Sequence, residues 1–255
     1  VTKIKAVLTD LDGTVLFPND DFTQATKSVI LEMIHEGIAV FPVTGRSYRF
    51  SIEACKSIGL QSLGVFKGGS VIVDIPTGKI LWEMPIDEIT AKSVLEGISP
   101  LCEYLSFGKG RVRADEITTL LLADLHCLSI WAETKVKNLD TVMHNLNQYD
   151  DLAVYISSAT DNDIIGIQIN HIRANKMYGA KILLELANVE KSKALAIGDD
   201  DNDIPFFTAV GTSVAMGNAS KGLRRVATHE TGTIEEDGFK AAMALYVLSH
   251  KGYII

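Results

Sequence analysis

Short apolar runs that stop abruptly at aspartate, glycine or threonine constrain this chain more than any other feature. Ile4 to Thr9 stops at Asp10, Ile38 to Val43 at Thr44-Gly45-Arg46, and Ala194 to Ile197 at Gly198-Asp199. Runs this short, with no polar alternation, are strands buried on both faces, as in a parallel sheet. Leu63 to Phe66 and Ser213 to Met216 read as further strands. Between the strands the spacing becomes helical. Thr26 to His35 places Val29, Ile30, Met33 and Ile34 together, with Gly37 as the stop, and Ser47 to Ile58 repeats the pattern through Tyr48, Ile52 and Cys55. Met177 to Ala187 aligns Ala180, Leu183, Leu184 and Ala187, and Asp237 to Leu248 aligns Phe239, Ala242, Met243 and Tyr246. This alternation predicts an α/β fold with a parallel sheet covered on both faces.

The rhythm breaks over about residues 84–172. Here the sequence predicts helices near Thr90 to Ile98 and Lys135 to Asn147, and strands at Cys127 to Trp131, Ala153 to Ser157 and Ile164 to Ile169. These read as a separate α+β module inserted into a core formed by residues 1–83 and 173–255. A chain of 255 residues is long enough for both.

A formal net charge of -8 argues against nucleic acid as a partner, since such binding needs a basic face. No apolar run approaches the roughly 20 residues of a membrane span, and Val1-Thr2-Lys3-Ile4 does not read as a signal peptide, so the expected location is the cytoplasm, with no membrane partner. Cys55, Cys102 and Cys127 are odd in number and lack a CxxC pair, which predicts buried free thiols rather than disulfides or a zinc site.

In an open parallel sheet, ligands bind beyond the carboxyl ends of the strands. Three polar clusters fall there, Asp10-Leu11-Asp12-Gly13-Thr14, Thr44-Gly45-Arg46 and Gly198-Asp199-Asp200-Asp201-Asn202-Asp203, and Lys176 opens a helix. Taken singly, each is also an ordinary turn or helix cap. Asp199 to Asp203 is not a calcium loop, because Ile204 and Val210 stand where its glycine and closing glutamate belong. There is no GxxxxGK[ST] nucleotide loop, and Gly108-Lys109-Gly110 is too short to cradle phosphate. The six histidines are scattered, and Trp82 and Trp131 are expected to pack rather than bind.

Taken in order, these clusters resemble the haloacid-dehalogenase-like superfamily, and within it the Cof-type sugar phosphatases. Asp10 to Thr14 matches the first motif, Thr44 the second, Lys176 the third and Gly198 to Asp203 the fourth; Val214 to Ala219 and Glu236-Asp237-Gly238 are similar to the closing segments. The resemblance implies a Rossmann-like core with an inserted α/β cap that closes over the cleft and supplies substrate contacts. It also implies Asp10, the Asp12 carbonyl and Asp199 as Mg²⁺ ligands. One departure is Lys67-Gly68-Gly69-Ser70, where the group usually has Asn-Gly-Ala.

The residue types suit phosphoryl transfer. A carboxylate at Asp10 attacks phosphorus to give an aspartyl-phosphate, and Asp12 exchanges protons with the leaving alcohol and then with water. Thr44 and Lys176 hold the charged oxygens, Gly45, Arg46 and Asn202 are candidates for substrate or phosphate binding, and Asp203 supports Asp199 or Lys176 from behind. The expected activity is Mg²⁺-dependent hydrolysis of a small-molecule phosphate ester, sugar phosphates first. A phosphotransferase or mutase on the same scaffold is the near alternative, and a phospho-acceptor signalling module or a catalytically dead binding protein the distant ones. The specific ester and the oligomeric state are left open.

Overall fold

The computed structural model describes residues 3–108, 110–118, 121–123, 125–156 and 163–249. Val1 and Thr2, Lys109 of the Gly-Lys-Gly stretch, and Ser157 lie outside the described residues. The chain divides into two compact units, Val1–Trp82 with Lys176–Ile255, and Glu83–Asn175.

The first unit opens with β1 (Ala6–Thr9), α1 (Gln24–His35), β2 (Ala39–Pro42), α2 (Tyr48–Ile58), β3 (Leu63–Phe66), β4 (Val71–Asp74) and β5 (Lys79–Glu83). The inserted unit contributes α3 (Glu88–Ile98), β6 (Cys102–Phe107), β7 (Gly110–Arg113), β8 (Ile130–Lys135), α4 (Leu139–Leu146), β9 (Leu152–Ile156) and β10 (Ile164–His171). The first unit then resumes with α5 (Lys176–Leu186), β11 (Ala194–Gly198), α6 (Ile204–Phe207), β12 (Thr212–Ala215), α7 (Lys221–Val226), β13 (His229–Glu230) and α8 (Gly238–Tyr246).

The main sheet runs in the order β13-β12-β11-β1-β2, with every pair parallel. A parallel bridge from Val43 to Val65 ties its edge to β3, which turns into the antiparallel partner β4. Ala6, Leu8, Phe41, Val43, Ala194 and Ala196 pack under α5, α6 and α7. Val7, Val40, Leu195 and Ile197, on the opposite face, are equally buried, and α1 lies against β2 and α8. Burial on both faces accounts for the unbroken apolar runs.

The inserted unit is a five-stranded antiparallel sheet, β7-β6-β8-β10-β9, with two helices on one face. Ala91, Val94, Leu95 and Ile98 of α3 and Val142 and Leu146 of α4 pack on Leu105, Ile130, Ala132, Ile165, Ile167 and Ile169. The expected helix at Lys135 to Asn147 starts later: β8 runs to Lys135, a 3₁₀ turn spans Val136–Asn138, and α4 follows. The expected strand at Cys127 to Trp131 likewise moves to Ile130–Lys135. Ile130, Ala132 and Thr134 are buried while Trp131 and Lys135 are exposed, so a period of two governs this stretch. Cys127 lies ahead of that strand, in an isolated antiparallel bridge with Ile86. The strands β4 to β7 were not anticipated from sequence.

Among the described residues no helix is long and apolar enough to cross a membrane. All three cysteines are free, Cys55 and Cys127 buried and Cys102 partly so. Burial pushes the Cys55 and Cys102 thiols up to about 12, which keeps them protonated and unreactive.

Candidate active site

Strand register brings the first, second and fourth clusters to one end of the main sheet. Thr9 pairs with Ile197 on one side and Pro42 on the other, so Asp10 emerges beside Gly198 and Val43, with Asp199 and Thr44 one residue further along. The Asp10 amide donates to the Ile197 carbonyl at 3.0 Å, and the Val43 amide to the Thr9 carbonyl at 2.8 Å. Lys176, at the start of α5, reaches the same end with its side chain.

Three charged groups are buried together there. Lys176 Nζ lies 2.6 Å from Asp10 Oδ1 and 2.6 Å from Asp203 Oδ1. Asp203 Oδ2 accepts from the Asp199 and Asp200 amides at 3.0 and 3.2 Å, so this one carboxylate fastens the fourth cluster to the lysine. The fit excludes larger residues: a Cβ on Gly198 would lie 2.4 Å from Asp203 Oδ2. Gly13 is excluded from substitution twice over, by a φ of +71° and by the approach of Asp199 Oδ2 to 2.2 Å from a Cβ there.

Asp199 receives Thr14 Oγ1 on Oδ1 at 3.1 Å and Asn218 Nδ2 on Oδ2 at 3.2 Å. Asn218 also donates to the Gly13 carbonyl at 2.9 Å and accepts from the Ile234 amide at 3.2 Å, joining the first and fourth clusters to the closing segment. Neither Thr14 nor Asn218 was assigned a role from sequence. Thr14 reaches Asp199 across 185 residues and Asn218 reaches Gly13 across 205, distances that no local pattern reports.

Charge in this cluster is unbalanced. Asp10, Asp199 and Asp203 each place a carboxylate oxygen within 4.8 Å of the others, and Lys176 pairs with two of the three, Asp10 and Asp203. Burial pushes the Asp10 carboxyl well above the usual range, opposed by Lys176 and reinforced by Asp203. Burial and then Asp203 push Asp199 up to about 7, against the Thr14 hydrogen bond. Burial works against the Lys176 ammonium, but Asp10 and Asp203 outweigh it and hold its pKa above the ordinary lysine value. An all-oxygen set with surplus negative charge fits a hard divalent cation. Asp203 has both oxygens committed to Lys176 and two amides, which leaves Asp10 and Asp199 as the carboxylates suited to direct ligation.

Asp12 lies in a tight turn closed by the Leu16 amide on the Leu11 carbonyl at 2.8 Å, and its side chain is exposed. It is held by Arg46, whose Nε donates to Asp12 Oδ2 at 2.7 Å. Arg46 also donates to Asp20. The Asp12 hydrogen bond foremost, and Asp20 with it, raise the guanidinium's pKa still further against burial. Thr44 is buried, and its Oγ1 accepts the Arg46 amide at 3.1 Å. Gly45 lies between them, partly buried. Asn202 is exposed in the 3₁₀ turn Asp201–Asp203, and among the described residues no hydrogen bond joins it to the charged cluster. Lys67 adopts a φ of +51°, and its amide bonds the Arg46 carbonyl at 2.8 Å.

In the inserted unit, Trp131 is exposed on the open sheet face, whereas Trp82 packs against Tyr178 at 6.0 Å between ring centroids. That open face also carries Tyr104 and Arg111. The Arg111 guanidinium stacks 3.7 Å from the Tyr104 ring centre and forks onto Glu133.

The profile of the haloacid dehalogenase-like hydrolases matches residues 7–115 and 105–243. A phosphoglycolate phosphatase of Methanothermobacter thermautotrophicus is 26% identical over 96% of this chain and 99% of its own. A haloacid dehalogenase-like hydrolase from B. subtilis superimposes with a TM-score of 0.80 at 21% identity, covering 96% of this chain and 100% of that one. A subclass IIB sugar phosphatase of the same superfamily superimposes at 0.75 with 16% identity, over 98% of this chain and 100% of its own.

Proposed function

The chain belongs to the haloacid dehalogenase-like hydrolases and is a phosphoric monoester hydrolase, and from that premise we propose that it is a Mg²⁺-dependent phosphatase of small phosphate monoesters, sugar phosphates first, working through an aspartyl-phosphate on Asp10. One observation carries this reading: Asp10 is a buried carboxylate at a strand end, paired at 2.6 Å with a buried lysine and clustered with two more carboxylates. Burying an ion costs several kcal/mol unless it is paired, and a fold keeps such a group where chemistry uses it.

The steps follow from the residues. Asp10 attacks phosphorus in line, the bond to the ester oxygen breaks, and Asp12 gives its proton to that oxygen. Water then attacks phosphorus, Asp12 takes the water's proton, and phosphate leaves with Asp10 restored. Lys176 and the Thr44 hydroxyl steady the phosphoryl oxygens, and Asp203 orients Lys176. When bound by Asp10, Asp199 and the Asp12 carbonyl, Mg²⁺ would offset the repulsion between a carboxylate nucleophile and an anionic substrate. The inserted module, residues 84–172, is assigned the choice of substrate, supported by the aromatic and cationic side chains on its open sheet face. Two of the proteins named above, the phosphoglycolate phosphatase and the sugar phosphatase, act on small organic phosphates by their names, which supports the same substrate class.

A screen of phosphorylated sugars, short phospho-acids and nucleotides with Mg²⁺, repeated after chelation, tests this. Release of inorganic phosphate from small sugar phosphates that stops on chelation is expected. Metal-independent turnover, or transfer of the phosphoryl group to a second sugar hydroxyl instead of water, would overturn it.

A further inference from the structure

Arg46 stands between two carboxylates, and only one of them belongs to a motif. Its Nε and one terminal nitrogen fork onto Asp12 at 2.7 and 2.5 Å, and the other terminal nitrogen donates to Asp20. A guanidinium is a rigid plane, so holding one terminal nitrogen sets the direction of the remaining N–H groups. The backbone of Arg46 is fastened as well, its amide to Thr44 Oγ1 at 3.1 Å and its carbonyl to the Lys67 amide at 2.8 Å. What remains free is the side chain, and Asp20 holds its far end.

Asp20 reaches that position by an unusual path. Asn19 and Asp20 both have positive φ, +64° and +65°, in the turn after the first motif. Two consecutive non-glycine residues in the left-handed region are costly, and such conformations gather where a side chain must be placed for function. The need is clear from exposure: the Asp12 side chain is 56% exposed and that of Arg46 26%. A lone ion pair this open to water leaves its carboxylate loosely held.

We propose that Asp20 is a positioning residue for the reaction: acting through Arg46, it fixes where the Asp12 carboxyl points, and so how well Asp12 meets the oxygen of the leaving alcohol. The inference rests on the phosphatase reading above. Asp20 touches no reacting atom, so its effect should scale with how much the leaving group needs a proton.

The test compares wild type with Asp20→Asn and Asp20→Glu on glucose 6-phosphate, an alkyl ester, and p-nitrophenyl phosphate, whose leaving group needs little protonation. Asp20→Asn should lower kcat on the alkyl ester about tenfold with KM within about twofold, and lower the aryl rate by less than about threefold, a fraction of the roughly 10²- to 10⁴-fold that general acid catalysis supplies. Asp20→Glu should recover at least about half of the alkyl rate by restoring the carboxylate. The Arg46 Nε–H signal in ¹⁵N-resolved NMR should move in Asp20→Asn and return toward wild type in Asp20→Glu. Equal losses on both esters, an unchanged alkyl rate, or an unmoved Arg46 signal would overturn the proposal. If glucose 6-phosphate is not turned over, an alkyl ester from the screen takes its place; absence of wild-type turnover on every ester of the screen would overturn the phosphatase reading instead, and the Arg46 signal would still decide the link from Asp20 to Asp12.

Discussion

The two units treat charge in opposite ways. In the parallel-sheet unit Asp10, Lys176 and Asp203 are buried against one another. In the inserted unit the lysine and arginine ion pairs among the described residues are open or partly open to solvent, Lys92 with Glu88, Arg111 with Glu133, Arg113 with Asp115 and Lys135 with Glu103, and the buried polar side chains among those residues are the uncharged Ser129, Thr134 and Asn170. Exposed pairs contribute about 0–1 kcal/mol, whereas a buried ion costs several kcal/mol to desolvate. The first unit thus carries an energetic burden that the second avoids, and the difference separates the unit proposed to perform the chemistry from the one proposed to choose the substrate.

The comparison breaks most visibly at Asp10. Asp10→Asn keeps the shape but removes the nucleophilic charge, and kcat should fall by at least about 10³-fold while circular dichroism stays unchanged. Retention of a tenth of the wild-type rate would return the chemistry to water or to another group. Lys176→Met comes next. It leaves Asp10 and Asp203 buried without their cation, which should destabilise the metal-free protein by about 3–5 kcal/mol and slow turnover by roughly 10²-fold; denaturant titration and steady-state rates read the two effects.

The metal dependence of stability is a smaller effect with a definite sign. Asp199, at about 7 in the folded chain, lies above its unfolded value, so its contribution is fully present below about pH 4 and is lost as pH rises through 7. The metal-free protein should therefore lose stability from about pH 4 to 7, and added Mg²⁺ should raise Tm more at pH 8 than at pH 5, by a few degrees for about 1–2 kcal/mol. A larger Mg²⁺ effect at pH 5 would contradict the charge imbalance at the site. The smallest effect belongs to the inserted unit: Trp131→Ala should change the ranking of sugar phosphates by a few-fold in kcat/KM with p-nitrophenyl phosphate rates nearly unchanged. A uniform loss on every substrate would give this unit no part in selection.

Legibility differed between the units for physical reasons. In the parallel sheet, burial on both faces writes itself into the sequence as unbroken apolar runs, so the α/β class and strands such as Leu63–Phe66 could be read directly. In the insert, a half-buried sheet leaves only alternation, and the period-two run from Ile130 to Lys135 was mistaken in part for a helix start. The strands Val71–Asp74 and Lys79–Glu83 went unread although Pro76-Thr77-Gly78 marks the turn between them, where the Gly78 amide closes on the Asp74 carbonyl at 2.7 Å. Within the site, the motif residues announced themselves by type and order. The contacts of Thr14, Asp20 and Asn218 did not, although Thr14 belongs to the first motif and Asn218 to a closing segment, because those contacts reach across 185, 26 and 205 residues.

Covalent attack by Asp10 is the claim on which the rest depends, and trapping the phosphoryl group tests it most directly. Enzyme mixed with Mg²⁺ and a substrate from the screen, quenched in acid within milliseconds and digested, should yield the Asp10 peptide carrying an acid-stable, hydroxylamine-sensitive phosphoryl group, formed and discharged at rates no slower than kcat. Free phosphate appearing in a single turnover while the Asp10 peptide never carries phosphorus would contradict the account.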